Sequence, residues 1–246
     1  MKSKPPRSRI WSSAILSLWV ILQISAQSAS EPTLRGAAGP DGLQFEATCP
    51  ASTRRVVWES TDRLDGGSWN IVAVDSTSGP TVSRVLTGSE TQRFLRVRTL
   101  ETPGFNGRVD RIVRVVRDQW RGAILLEASS IPSTLVETYP DEVTLRVVLQ
   151  VEGGTVVVDE TDWTQPVSPE FRPMPWMGSA RLPWPVAMDE LEAEAVYRAA
   201  GQGPEFGAVT LRQPIYPGMT EPYFIFRTPA GPFVFVGTVT RKVKTD

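Results

Sequence analysis

The sequence predicts a mainly β protein with a small α+β part: an antiparallel β-sandwich followed by a helix packed on a short antiparallel sheet. Three observations lead there. From Leu43 onwards, short runs of β-branched and aromatic residues alternate with clusters of Gly, Pro, Asp and Ser. Two apolar runs, EVTLRVVLQV and TVVVDETDW, flank Glu152-Gly153-Gly154, the strongest hairpin signal in the chain. One clear helical pattern, MDELEAEAVYRAA, precedes the aromatic runs of EPYFIFRTPAGPFVFVGTVTRKV.

The first residues combine a basic start (Lys2, Lys4, Arg7, Arg9), an apolar stretch from Ile10 to Ile24, and small residues beyond it. That order is expected of a secretory signal peptide over 1–26, cleaved near Ala26. A membrane anchor fits less well, because Ser12, Ser13, Ser17, Gln23 and Ser25 interrupt the run. The mature chain is then expected to be secreted or periplasmic, with no transmembrane anchor after cleavage. Of 246 residues about 220 would remain, enough for one large or two small cores. The single Cys49 has no partner for an intramolecular disulfide and lies too far from the leader for lipid attachment. It reads as a small buried residue. Lys plus Arg number 26 against 27 Asp plus Glu, and loss of the leader's basic residues leaves a net charge of about −5. Such a chain is a poor electrostatic match for nucleic acid.

Residues 31–42, EPTLRGAAGPDG, read as a flexible lead-in. The expected strands follow at 43–48, 54–60, 68–74, 81–86 and 93–99, separated by turn chemistry, and their regular spacing argues for a sandwich over 43–100. Trp58 and Trp69 are its expected core anchors, since large aromatics dominate burial in a small domain. VVWESTDRLDGGSWNIVAV and the later TQRFLRVRT resemble the immunoglobulin- or fibronectin-III-like β-sandwich module of secreted bacterial proteins. Ser60, Thr61, Asp62, Trp69, Phe94, Arg96, Val97 and Arg98 carry that resemblance. The module implies a fold and no shared chemistry.

ETPGFNG (101–107) is the best internal linker, after which an α+β domain is expected over 108–246. RVDRIVRVVRDQW reads two ways. Val109, Ile112, Val113 and Val116 make a helical stripe, whereas the β-branched content suits a strand; helix is preferred for the first ten residues. GAILLEASS reads as a strand. Proline recurs from Gln165 to Val186, which argues against a ladder or a helix and for an extended stretch on the surface or crossing between elements. Trp176 and Trp184 within it either clamp it onto the domain or stand exposed to bind a partner.

Within 188–200, Met188, Leu191, Ala195 and Ala199 share one helical face, and Gly201 follows as a terminator. Asp189, Glu190, Glu192 and Glu194 suit the positive end of the helix and read as a solvated face. GAVTLRQPIY and the aromatic hairpin come next. The order helix, strand, strand, turn, strand over 187–246 resembles the PepSY-like module of exported bacterial proteins, with Thr240, Arg241, Lys242 and Val243 at its closing segment and Arg241 where glycine is usual. That resemblance implies binding or restraining partners outside the cytoplasm, peptidases included. Phe224, Phe226, Phe233 and Phe235 are more apolar area than one short helix covers, so residues 165–186 or a partner should lie across the surplus.

The chain contains no histidine, which removes Ser-His and Cys-His dyads and histidine metal ligands. Beyond the leader only Lys242 and Lys244 could act as a lysine base. GGS and GQGPEFG lack the strand-to-helix context of a phosphate loop. DETD (159–162) and DRLD (62–65) match no calcium-loop spacing and read as solvated turns. No cofactor or metal is expected. The expected function is a non-catalytic exported binding protein of the cell envelope or extracellular space, peptidase restraint being a narrower version. Its partner is a protein or an envelope component, touched through Trp176, Trp184, Tyr216, Tyr223 and Phe233. A hydrolase using two carboxylates in one cleft, or a purely structural spacer, are the alternatives.

Overall fold

The computed structural model describes residues 32–39, 42–64, 69–77, 79–86, 94–139 and 143–245. The expected signal peptide and the turn residues 65–68 and 87–92 lie outside these. Six strands come first: β1 (Thr33–Gly39), β2 (Gly42–Thr48), β3 (Arg55–Thr61), β4 (Asn70–Ser76), β5 (Thr81–Leu86) and β6 (Phe94–Leu100). They form two three-stranded antiparallel sheets, ordered β1-β2-β5 and β4-β3-β6. In β2 the buried Phe45 and Ala47 alternate with the exposed Gln44 and Glu46. Those inward residues meet Val56, Trp58, Ala73 and Leu95 of the other sheet in one core, which also takes in the buried Cys49. Trp58 is fully buried, and its indole N–H donates to Asp75 at 2.8 Å.

Two expectations change here. Residues 33–39 are a strand rather than a flexible lead-in, paired with β2 along its length. Gly36 faces Phe45, and a Cβ there would sit 2.9 Å from the ring, so the small residues that read as flexible are the ones that let β1 lie over Phe45. Trp69 is half-buried outside the sandwich core, with the Arg96 guanidinium 4.3 Å from its ring centroid.

The expected linker instead contributes the first turn of helix α1 (Gly104–Gln119). Pro103 precedes it with φ −70°, already near the helical value, and Phe105 is buried edge-on to Phe224 and Tyr139. Val109, Ile112, Val113 and Val116 form the buried stripe that the sequence pattern implies, and the helix runs past the ten residues expected.

The remaining strands are β7 (Ile124–Ile131), β8 (Thr144–Val151), β9 (Gly154–Glu160), β10 (Glu170–Arg172), β11 (Val209–Arg212), β12 (Tyr223–Arg227), β13 (Phe233–Gly237) and β14 (Val243–Thr245). They make one eight-stranded sheet in the order β10-β9-β8-β7-β11-β12-β13-β14, antiparallel throughout. Residues 124–160 and 209–245 therefore share a sheet, joined where β7 pairs with β11. The β8–β9 hairpin turns through Glu152 and Gly153, whose φ of +80° suits glycine. The proline-rich stretch does enter a ladder: β10 occupies the three residues free of proline between Pro169 and Pro173 and pairs with β9 at the sheet edge.

Helices α1 and α2 (Glu190–Ala199) pack on the same face of this sheet, against Leu125, Leu145, Val147, Phe224 and Phe226 among others. Tyr197 of α2 stacks on Phe226 with ring centroids 4.7 Å apart. The buried stripe of α2 is Glu190, Ala193, Glu194 and Tyr197, with Glu192 also buried, whereas Ala199 of the expected apolar face is exposed. The acidic run is thus internal rather than solvated, because other elements supply each carboxylate with a donor.

Candidate binding surface

The outer face of the eight-stranded sheet has no helix on it. Its residues follow from the period of two along each strand: while Leu125, Ala128, Leu211, Phe224, Phe226, Val234 and Val236 point to the helices, their alternates point away. One row crosses the face as Arg146, Ser129, Thr210, Ile225 and Phe235. Its middle is polar, the Ser129 and Thr210 hydroxyls lying 3.0 Å apart and Glu127 accepting from Ser129 and Ser179. Apolar clusters sit at both ends. Leu126, Val148 and Val157 lie under Trp176, and Tyr223, Ile225 and Phe235 lie beside Met219. On the same face, Phe233 and Ile131 remain 43% and 44% exposed, and Arg227, directly opposite Phe233, is exposed as well.

The five residues expected to make contact do not converge on one site. Trp176 is half-buried and clamps the proline-rich stretch to the outer face of β7–β9, away from the phenylalanine surplus that the stretch was expected to cover. Trp184 is half-buried on the opposite, helix-bearing side of the sheet, its indole N–H 3.5 Å from Asp110. Tyr223 is buried at 2% exposure, so its ring packs internally. Tyr216, in the loop after β11, and Phe233 are the two that present large aromatic surface. The excess phenylalanine area is divided: both helices cover Phe224 and Phe226, Phe235 is buried on the outer face, and Phe233 stays open.

The acidic groups are mostly tied up in the framework. Within DETD, Asp159 and Glu160 belong to β9 rather than to a turn; Glu160 is buried between Arg108, at 2.5 Å, and Arg111, while Asp159 pairs with Arg146 at the surface. Asp162 does cap a turn, accepting from the Thr164 backbone and hydroxyl, which holds its carboxyl below the usual range. In DRLD, Asp62 and the two residues after it are exposed, and Asp65 lies outside the described residues.

At the start of α2, Asp189 caps the helix by accepting from Leu191 N–H. Glu190 accepts from Arg55 of β3 at 2.5 Å, Glu192 from the Val74 backbone and from Arg241, and Glu194 from the Tyr139 backbone and Arg198. The Asp189 carboxylate also lies 3.6 Å from the Arg55 guanidinium. Burial, then the Glu190 charge, pushes Asp189 well above the ordinary carboxylate range. Burial also raises Glu192, against the pull of Val74 N–H and Arg241. The i, i+3, i+4 spacing of Glu190, Ala193, Glu194 and Tyr197 was the one sequence signal that could have marked these acids as inward. Among the described residues no three His, Cys, Asp or Glu side chains gather as metal ligands, and no helix is long and apolar enough to cross a membrane.

No protein-family profile matches the chain, and no curated protein matches it. Among solved structures, a "putative lipoprotein" from Clostridium difficile 630 aligns at 10% identity over 55% of this chain and 90% of its own, with a TM-score of 0.40. That likeness is too low to support any statement on fold family or function.

Proposed function

We propose that this chain is a non-catalytic exported binding protein of the cell envelope or extracellular space, and that it meets its partner through the outer face of the eight-stranded sheet. The observation that carries the reading is the uncovered end of that face, where Phe233 and Ile131 expose apolar area beside the cationic Arg227. An aromatic anchor with a neighbouring arginine is the composition of an interface centre. The partner is a protein or an envelope component, a peptidase being the narrower case. Engagement of Glu160, Glu190, Glu192 and Glu194 by arginines and backbone amides favours this over a two-carboxylate hydrolase, since those acids hold the framework together. Export rests on the basic and apolar leader.

Affinity capture from an envelope extract, with the intact mature chain immobilised, tests the proposal. A partner retained by the native chain and lost with Phe233→Asp and Ile131→Asp is expected. No specific partner, or one retained equally by the doubly substituted chain, would overturn it.

A further inference from the structure

A second surface feature lies on the other side of the sheet, at the C-terminal end of α1. There a cavity of about 220 Å³ opens between residues 122–125, where the turn after α1 enters β7, and the crossing segment 181–184. Both walls are held by backbone bonds. Leu182 N–H donates to Leu125 O at 2.9 Å with its side chain in the core, and Ala123 N–H donates to Trp120 O at 3.1 Å. Arg117 lines the cavity from the last turn of α1, its Nε donating to Ala123 O at 3.2 Å, which leaves the two terminal nitrogens of the fork directed elsewhere. Arg181 lines it from the other wall.

Neither arginine forms an ion pair with a described residue. That sets them apart from Arg55, Arg108, Arg146, Arg198 and Arg241, each of which is matched to a carboxylate. Ile124, Pro183 and Trp184 line the same cavity and add apolar and aromatic surface to it. Two forked donors suit a carboxylate or a phosphate. The apolar and indole wall adds a place for the body of an organic molecule, which inorganic phosphate would leave unused. Pockets for drug-sized ligands run from about 300 Å³ upward, so this one suits a single residue-sized group.

We infer that this cavity is a binding site for a small organic carboxylate, its charge held between Arg117 and Arg181 and its carbon body against Trp184. The site is separate from the outer sheet face, so either proposal can fail while the other stands.

The test is a titration of the full mature chain at low salt with glucuronate, glucose and inorganic phosphate in parallel. It follows the Trp184 indole N–H resonance, assigned by its loss in Trp184→Phe. Glucuronate should shift that resonance saturably while glucose does not, and phosphate should act more weakly. Arg117→Gln with Arg181→Gln should weaken glucuronate on the order of tenfold or more, while Arg172→Gln, a surface control paired with Glu170 at the sheet edge, leaves it unchanged. Thermal unfolding checks that each variant is folded. No shift with glucuronate, equal shifts with glucuronate and phosphate, or a response unaffected by the double substitution would overturn the assignment.

Discussion

Arg55 of the sandwich and Glu190 of helix α2 meet at 2.5 Å with side chains 1% and 0% exposed, and this buried pair fastens the sandwich to the helix-and-sheet part of the protein. Arg55 also donates to Thr102 O, and the N-terminal residue of α1, Gly104, lies against its guanidinium. The junction therefore gathers β3, the entry to α1 and the start of α2 around one cation. Burying charge this deeply is unfavourable unless every partner is present.

Removing one partner should be costly. Arg55→Met leaves Glu190 and Asp189 without their cation and is expected to lose about 3–5 kcal/mol in urea unfolding, whereas Arg55→Met with Glu190→Leu should recover most of it. Gly104→Ala should also destabilise, by roughly 3 kcal/mol, because φ is +63° there and the new Cβ would fall 2.2 Å from Arg55 Nη1. A double substitution no more stable than Arg55→Met alone would contradict this account.

The two ends of the pH range should respond to different carboxylates. Asp189 and Glu192 are raised in the folded chain, so their contribution is fully present below the ordinary carboxylate range and is lost as pH rises through the raised values. Asp189→Asn keeps the helix cap and should flatten the fall in stability on the alkaline side of that range. Glu221 has the opposite sign. Burial pushes it up, but the Thr240 hydroxyl and the Thr240 and Val239 amides outweigh that and lower it. Its contribution is present above the unfolded value and lost as pH falls through the folded one, so Glu221→Gln should flatten the acid side. Urea midpoints from pH 3 to 9 separate the two limbs.

Arg241 takes φ +55°, in the left-handed region that favours glycine. Its guanidinium reaches Glu192 at 2.7 Å, so strain and ion pair oppose each other at a single position. Arg241→Gly relieves the strain and loses the pair, whereas Arg241→Ala loses the pair and keeps the strain. Thermal unfolding should therefore rank Arg241→Ala below Arg241→Gly by about 1 kcal/mol.

Trp176→Ala should uncover Leu126, Val148 and Val157. For a half-buried indole the expected cost is about 2 kcal/mol, below the range for full burial. The same variant should raise protease sensitivity within 165–186, measured by limited digestion. Unchanged stability and digestion would mean that the ring does not clamp the segment.

Local pattern in the sequence was enough for β2 to β6, the Glu152-Gly153 hairpin, the Val109-to-Val116 stripe and the existence of α2, because period and turn chemistry are written in neighbouring residues. It could not decide β1 or the first turn of α1. Gly36 and Gly104 read as breakers until Phe45 and Arg55 are placed against them. Nor could it decide the environment of the acidic run in α2. Glu190 looks the same on a solvated helix as beside a buried guanidinium, and the residue that distinguishes the two lies 135 positions earlier in the chain. Contacts of that span exist only once the chain has folded, and they set which acids are internal and which sheet face stays open.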